Sequence, residues 1–245
     1  MRGARRVFPG DRGGEVVALE GIDLEIEEGS FVALLGPSGC GKSTLLRLIS
    51  GLDRADGGEV DVPHARARRL GVVFQDAHLL PWRTVEENVA LPLELLSTPR
   101  SERDGAVRAC LRDVGLLDAA RRYPSALSGG MRMRASIARA LVTRPRMLLM
   151  DEPFAALDEL TRHRLDEQLR ALWQAQKLTV VFVTHTIFEA TFLAERALVL
   201  SARPGRIAYD AKIELPTDRP ASLRADASFV REAARLLSAL EEASA

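Results

Sequence analysis

Lysine is scarce in this chain. Of its 34 basic residues only Lys42, Lys177 and Lys212 are lysines; the rest are arginines. Cysteine is scarcer still. Cys40 and Cys110 stand alone, which excludes a disulfide framework and suits a reducing compartment. Net charge is missing too, because the 34 basic residues balance 34 acidic ones. That excludes a global electrostatic grip on nucleic acid and leaves only a local patch open. No secretory signal is visible: Arg2, Arg5 and Arg6 open the chain, but no apolar segment follows. Nor is there a long hydrophobic run. The most apolar stretch, 178–200, is broken by His185, Glu189, Glu195 and Arg196, short of the ~18 uninterrupted apolar residues a membrane span needs. If the protein acts at a membrane, another chain brings it there.

What is present is an ordinary globular mix, 47% hydrophobic and 28% charged over 245 residues. Runs apolar on consecutive residues predict buried parallel strands at 31–35, 70–74, 147–150, 179–183 and 197–200. Ile22, Leu24 and Ile26 alternate with Asp23, Glu25 and Glu27, which predicts a half-buried strand of an antiparallel layer. Helical periodicity appears at Leu165, Leu169, Leu172 and Trp173, and helices are expected over 86–96 and 102–111. No strand-like run lies between about 84 and 145, so a helical block interrupts an α/β core. Over 227–242, Phe229, Val230, Ala233, Leu236, Leu237 and Leu240 predict a helix packed on that core.

The strand at 31–35 runs into Gly36-Pro-Ser38-Gly39-Cys40-Gly41-Lys42-Ser43-Thr44 and then a helix. Strand, glycine-rich loop and helix together are the context of a phosphate-binding loop. Glycines let backbone N–H groups converge on phosphate oxygens, and the helix N-terminus adds partial positive charge. Lys42 is a compact ammonium for the β and γ phosphates, where a forked Arg would be bulkier. Ser43 offers a hydroxyl to Mg²⁺. Cys40 reads as a small packing residue, although its place near a helix N-terminus suggests a lowered thiol pKa.

The strand at 147–150 ends in Asp151 and Glu152. In a doubly wound sheet such acids lie beside the phosphate loop. Asp151 then serves Mg²⁺ and Glu152 polarises a water for in-line attack. Leu127-Ser128-Gly129-Gly130-Met131 opens a helix carrying Ile137 and Leu141. A hydroxyl before two glycines at a helix start is a further anion-binding arrangement.

Together these residues resemble the ATP-binding cassette family, specifically the ATPase subunit of an importer, over essentially the whole chain (1–245). Residues 36–44 resemble its Walker A motif and Leu149-Met-Asp-Glu152 its Walker B. Residues 127–131 resemble the L-S-G-G-Q signature with Met131 in place of Gln. Gln75 resembles the Q-loop residue, Ala156-Leu157-Asp158 the D-loop, and His185 the switch histidine. Seen alone, a Gln or His after a strand carries no such meaning; their order relative to the Walker-like motifs does. The resemblance implies a P-loop NTPase fold of the α/β class. It would have a RecA-like parallel core sheet, an antiparallel N-terminal layer, a helical subdomain at about 84–145 and a C-terminal extension at about 221–245. It implies two copies sandwiching two ATP molecules with Mg²⁺. Ser128, Gly129, Gly130 and Asp158 of one copy would face the nucleotide on the other's P-loop. Glu152 would be the general base, His185 would contact the γ phosphate, and Gln75 would touch Mg²⁺ or the attacking water. Permease subunits would hold the dimer on the cytoplasmic face of the membrane, with a solute-binding protein acting indirectly.

The stretch Leu79-Leu-Pro81-Trp82 and the later Leu200-Ser-Ala-Arg-Pro-Gly-Arg206 are similar to importers of nitrate, sulfonates and taurine. Trp82 reads equally as a core or an interface aromatic. Phe8 is the candidate to stack on adenine, and equally a plain core residue. Only seven residues precede it, which leaves two readings, a misassigned start or a short edge strand. The competing class is a soluble cassette ATPase in repair or cofactor assembly. The coiled-coil insertion of repair ATPases is not seen here. A small-molecule kinase would need a substrate site in place of a signature helix.

Overall fold

The structure is a computed structural model that describes residues 1–10, 13–66 and 69–244. Its elements run β1 (Arg2–Pro9), β2 (Glu15–Ile22), β3 (Phe31–Leu35), α1 (Lys42–Ser50), β4 (Gly57–Glu59), α2 (Pro63–Arg66) and β5 (Leu70–Val73). Then follow α3 (Val85–Leu95), α4 (Arg100–Asp113), α5 (Gly129–Leu141), β6 (Met147–Asp151), α6 (Glu159–Gln176) and β7 (Thr179–Val183). The chain closes with α7 (Ile187–Leu193), β8 (Arg196–Leu200), β9 (Ile207–Lys212) and α8 (Ala227–Ser244).

The main sheet has the order β5-β6-β7-β3-β8-β9. Its first five strands are parallel, and β9 pairs antiparallel on β8. Strands buried on both faces need no polar side, which is why consecutive apolar residues predicted them. Alternate residues feed two cores. Phe31, Ala33, Leu35, Val180 and Phe182 pack towards the helices α3 to α8. Val32, Leu34, Val181 and Val183 pack towards α1 and the N-terminal sheet.

That second sheet has the order β2-β1-β4 and is antiparallel. Here two expectations fail. The antiparallel strand ends at Ile22, and residues 23–27 are not strand. The alternation at 22–27 arises because this segment runs along the boundary of a core: Leu24 is buried in it and Ile26 packs on its edge. Nor is the first strand a short edge. β1 spans eight residues and is central, paired on both sides. Smaller differences follow the same logic. Phe74 lies outside β5 and is exposed. On α8, Phe229, Ala233 and Leu236 face the core, whereas Val230 and Leu237 sit one residue further round and are exposed.

Between β5 and β6 the chain is helical, with no strand among the described residues. Thr84 caps α3 in a capping box with Glu87. Buried Asn88 bonds the backbone of Leu80, Arg83 and Thr84 at 2.7 to 3.1 Å, fixing the loop before α3. Trp82 on that loop is 71% exposed, so it is a surface aromatic rather than a core one. Among the described residues no helix is long and apolar enough to cross a membrane.

Candidate active site

Parallel pairing puts the C-terminal ends of β5, β6, β7, β3 and β8 on one edge of the sheet. Val73 is level with Met150, Asp151 with Val183, and Leu34 with both Val183 and Leu198. The next residues along each strand therefore share that edge: Gln75, Glu152, His185, the glycine-rich loop and Ser201. Ligands bind at this edge of doubly wound sheets because helix N-termini and loop N–H groups converge there.

The loop is shaped by steric exclusion. Gly36 (φ 151°) and Gly41 (φ 107°) both lie in the left-handed region. A Cβ on Gly36 would stand 2.7 Å from Cys40 Sγ, and one on Gly41 2.9 Å from the Ala18 carbonyl oxygen. Gly41 leads directly into α1, so the helix N-terminus faces the loop. Lys42 is buried, and its Nζ donates to the carbonyls of Gly36 at 2.8 Å and Pro37 at 3.0 Å. The Ser43 hydroxyl lies beside the Asp151 carboxylate and favours its charged form. Burial pushes that carboxyl up, Ser43 opposes it, and neighbouring Glu152 raises it further.

Glu152 has φ 45°, a left-handed conformation that costs a non-glycine residue about 1–2 kcal/mol. Its N–H donates to the Val183 carbonyl at 3.0 Å, which holds the strained turn in place. Its Oε2 lies 3.2 Å from His185 Nδ1. Both side chains line a cavity of about 690 Å³. The same cavity is lined by Gly36, Ser38, Gly39, Gly41, Lys42, Ser43, Thr44 and, opposite the loop, Phe8. Arg6 lies 4.6 Å over the Phe8 ring and is itself held by Asp53 and Asp56.

Cys40 is buried beneath the loop rather than lining the cavity. Burial pushes its thiol up, and that outweighs the opposing pull of Lys42 and of the backbone N–H groups. The expected lowering by the helix N-terminus is thus overturned. Alkylation of Cys40 by iodoacetamide should be slow at neutral pH and should speed up as pH rises past the ordinary thiol range. Mass spectrometry across pH 7–10 reads this, and rapid neutral labelling would contradict it. Cys110, pushed up to about 11 by burial and then by Asp113, should label no faster.

Other expected residues lie outside this cavity. Gln75 is exposed on the same edge. Ser128 caps α5, accepting from the Met131 N–H at 3.3 Å. Asp158 caps α6 through the Thr161 N–H at 3.0 Å, and its bonds to Thr161 hold its carboxyl below the usual range. These two caps form a second cluster. A Cβ on Gly130 would stand 2.8 Å from Thr161 Cγ2, and one on Gly129 3.4 Å from Leu157 Cδ2. One chain thus carries a phosphate loop that lines the cavity and a capped pair of helix starts that does not line it.

Sequence reasoning missed Arg203 and Gly205. Arg203 lines the cavity and donates to the Gly39 carbonyl at 3.0 Å. Gly205 passes so close to the loop that a Cβ there would stand 2.1 Å from the Cys40 carbonyl oxygen. Both lie in the 200–206 stretch, whose sequence by itself points only to the importer subgroup. Arg139 is a third: it donates to the Ala77 and His78 carbonyls, each at 2.7 Å, tying α5 to the loop after Gln75.

A family model described as ABC transporter matches residues 19–155. The nitrate import ATP-binding protein NrtD of Synechocystis sp. is 46% identical over 217 residues, 87% of this chain and 81% of the relative. The aliphatic sulfonates import ATP-binding protein SsuB of Ralstonia nicotianae is 50% identical over 212 residues, 85% of this chain and 72% of the relative. Among solved structures, a dimeric ATP-binding cassette in a post-hydrolysis state with ADP and Pi aligns with a TM-score of 0.76. Its identity is 32%, and the match covers 88% of this chain and 98% of that one.

Proposed function

The chain belongs to the ABC transporter family, and from that premise we propose that it powers uptake of a small solute of the nitrate, sulfonate or taurine kind. It is an importer ATPase subunit that binds and hydrolyses ATP. The observation that carries the site assignment is that Lys42, Ser43 and the Glu152–His185 pair line one cavity, with Asp151 next to Ser43. Lys42 exchanges loop carbonyls for β and γ phosphate oxygens, while the loop N–H groups and the start of α1 hold the rest of the chain of phosphates. Glu152 takes the proton of the attacking water. His185, within reach of the same carboxylate, orients towards the γ phosphate.

Ser43 and Asp151 suit Mg²⁺: both are hard oxygen donors, Ser43 lining the cavity and Asp151 beside it. The bound ion supplies neutralisation of phosphate charge. Among the described residues no group of three His, Cys, Asp or Glu side chains is placed to hold a metal by itself. That agrees with an ion held largely by nucleotide and water. Gln75 would reach the ion or the water from its exposed position on the same edge.

The second cluster, Ser128, Gly129, Gly130 and Asp158, lies outside the residues that line this chain's own cavity and would complete the site of a second copy. Two cavities would then close over two ATP molecules, and hydrolysis would release them. The helical unit at 84–145 would dock permease subunits, and the extension at 221–245 would brace the core. A solute-binding protein would act through the permease, and the location would be the cytoplasmic face of the membrane. The test is co-purification: Glu152→Gln with ATP should dimerise and retain a membrane partner. Failure of both sinks the importer reading.

Phe8 would stack on adenine, with Arg6 steadying its other side. Base–aromatic stacking contributes ~1–3 kcal/mol, so Phe8→Ala should weaken ATP binding about tenfold or more. Phe8→Tyr should keep it. Calorimetric titration of both variants decides, and an unchanged Phe8→Ala makes the residue plain packing.

A further inference from the structure

Behind the cavity lies a polar relay that the chemistry above does not use. Thr184 and Glu189 are buried, 1% and 4% exposed. The Thr184 hydroxyl donates to Glu189 Oε2 in a short hydrogen bond. The same hydroxyl accepts from the Thr186 N–H at 2.9 Å. His185 is therefore bracketed: its two neighbours are joined through one hydroxyl anchored on one buried carboxylate. The other oxygen of Glu189 stands 3.3 Å from Arg162 Nε. Arg162 reaches on through its terminal nitrogen to the Leu157 carbonyl at 3.0 Å. Leu157 directly precedes Asp158, in the cluster that does not line this chain's own cavity.

The relay is poor as a stability device. Arg162 Nε and Glu189 Oε1 are close enough for charge attraction but make no hydrogen bond to each other or to any other group. Burial pushes the Glu189 carboxyl up, and Thr184 and Arg162 only oppose it. A second buried carboxylate, Asp166, stands alongside and is pushed up to about 8, first by its own burial and then by Glu189. Buried ion pairs of this quality stabilise no better than apolar packing of the same volume. What this arrangement does provide is a continuous chain of contacts from the turn carrying His185 to the Leu157–Asp158 loop.

We propose that Thr184, Glu189 and Arg162 are positioning residues that set the orientation of His185 according to where the Leu157–Asp158 loop sits. Movement of that loop against a second nucleotide shifts Arg162, then Glu189, then the turn carrying His185. The relay rests on the ATPase reading above and adds a route by which one site informs the other.

Thr184→Val keeps the shape and removes the hydroxyl, whereas Thr184→Ser keeps the hydroxyl. The full chain is assayed for phosphate release, ATP affinity and the imidazole NMR signal of His185. Small misplacement of a reacting group costs up to about a hundredfold. Thr184→Val should therefore lose about tenfold to a hundredfold in kcat, with ATP affinity unchanged and the His185 signal shifted. Thr184→Ser should restore both. Arg162→Ala should lower kcat similarly, with circular dichroism confirming that the variant is folded, since removal of Arg162 leaves the buried Glu189 without its charge partner. The double variant should be no worse than either single, as members of one unit behave. The relay is overturned if Thr184→Val keeps wild-type kcat, if Thr184→Ser is as impaired as Val, or if the two losses multiply. Should the wild-type chain release no phosphate from ATP, the ATPase reading itself falls. An active wild type with an unaffected Thr184→Val removes the relay alone.

Discussion

Glu152→Gln should lower phosphate release from ATP at least about a hundredfold while leaving ATP bound as tightly as before. A positioned general base contributes about 10²–10⁴ in rate, and the amide that replaces it cannot take a proton. The substitution keeps the volume and an oxygen for His185, 3.2 Å away. It leaves the backbone bond to the Val183 carbonyl in place, so the strained turn survives. It also removes a negative charge from the lining of the cavity, where the phosphates of ATP would otherwise be repelled. Asp151 loses the neighbour that raises its carboxyl and becomes easier to ionise for Mg²⁺. Tight binding without turnover should collect the protein as an ATP-bound dimer. Phosphate release, calorimetry and size-exclusion chromatography with ATP read the three consequences. Turnover within about threefold of wild type would place water activation on another residue.

How much of this site was legible beforehand follows from locality. Residues 36–44 announce themselves by residue type and spacing between a strand and a helix, although the glycines at 36 and 41 are demanded partly by distant atoms, Leu200 and strand β2. The acids at the end of β6 were readable because a buried parallel strand has only one chemically useful end. Arg203 and Gly205 were not readable as site residues. Their role exists only because β8 pairs with β3 and so brings the 200–206 turn against the loop, Arg203 lying 164 residues from its partner Gly39. Arg139 is similar, since its partners Ala77 and His78 lie across the helical segment. The error at residues 22–27 shows the limit of a period-two pattern. It reports alternate burial, and a segment threading beside a core produces that without pairing into a sheet. The error at Cys40 has the opposite origin. A helix N-terminus was visible in the sequence, but the depth of burial that outweighs it was not.

Lys42→Ala should abolish useful ATP binding, a loss of at least about a hundredfold. The ammonium is only 8% exposed, and among the described residues it forms no ion pair. It is held by two neutral carbonyls, those of Gly36 and Pro37. A buried charge so arranged is costly until an anion arrives, and bound phosphate supplies countercharge beyond the attraction of nearby Asp151. Hydrogen bonds to charged groups contribute about 1.5–3 kcal/mol each. Two such bonds amount to about 3–6 kcal/mol, or about two to four orders of magnitude in affinity. The start of α1 cannot replace them, since a helix N-terminus presents only about half a charge. Arginine cannot either, because its fork does not fit between the two carbonyls that a compact ammonium bridges. The contrast with the other two lysines makes the test internal. Lys177 ends α6 and Lys212 lies at the end of β9, both away from the residues that line the cavity, so Lys177→Ala and Lys212→Ala should bind ATP as the wild type does. Titration of the three variants with ATP separates them. Tight binding by Lys42→Ala would move the nucleotide out of the cavity altogether, and a loss shared by all three would assign the effect to bulk charge rather than to this one ammonium.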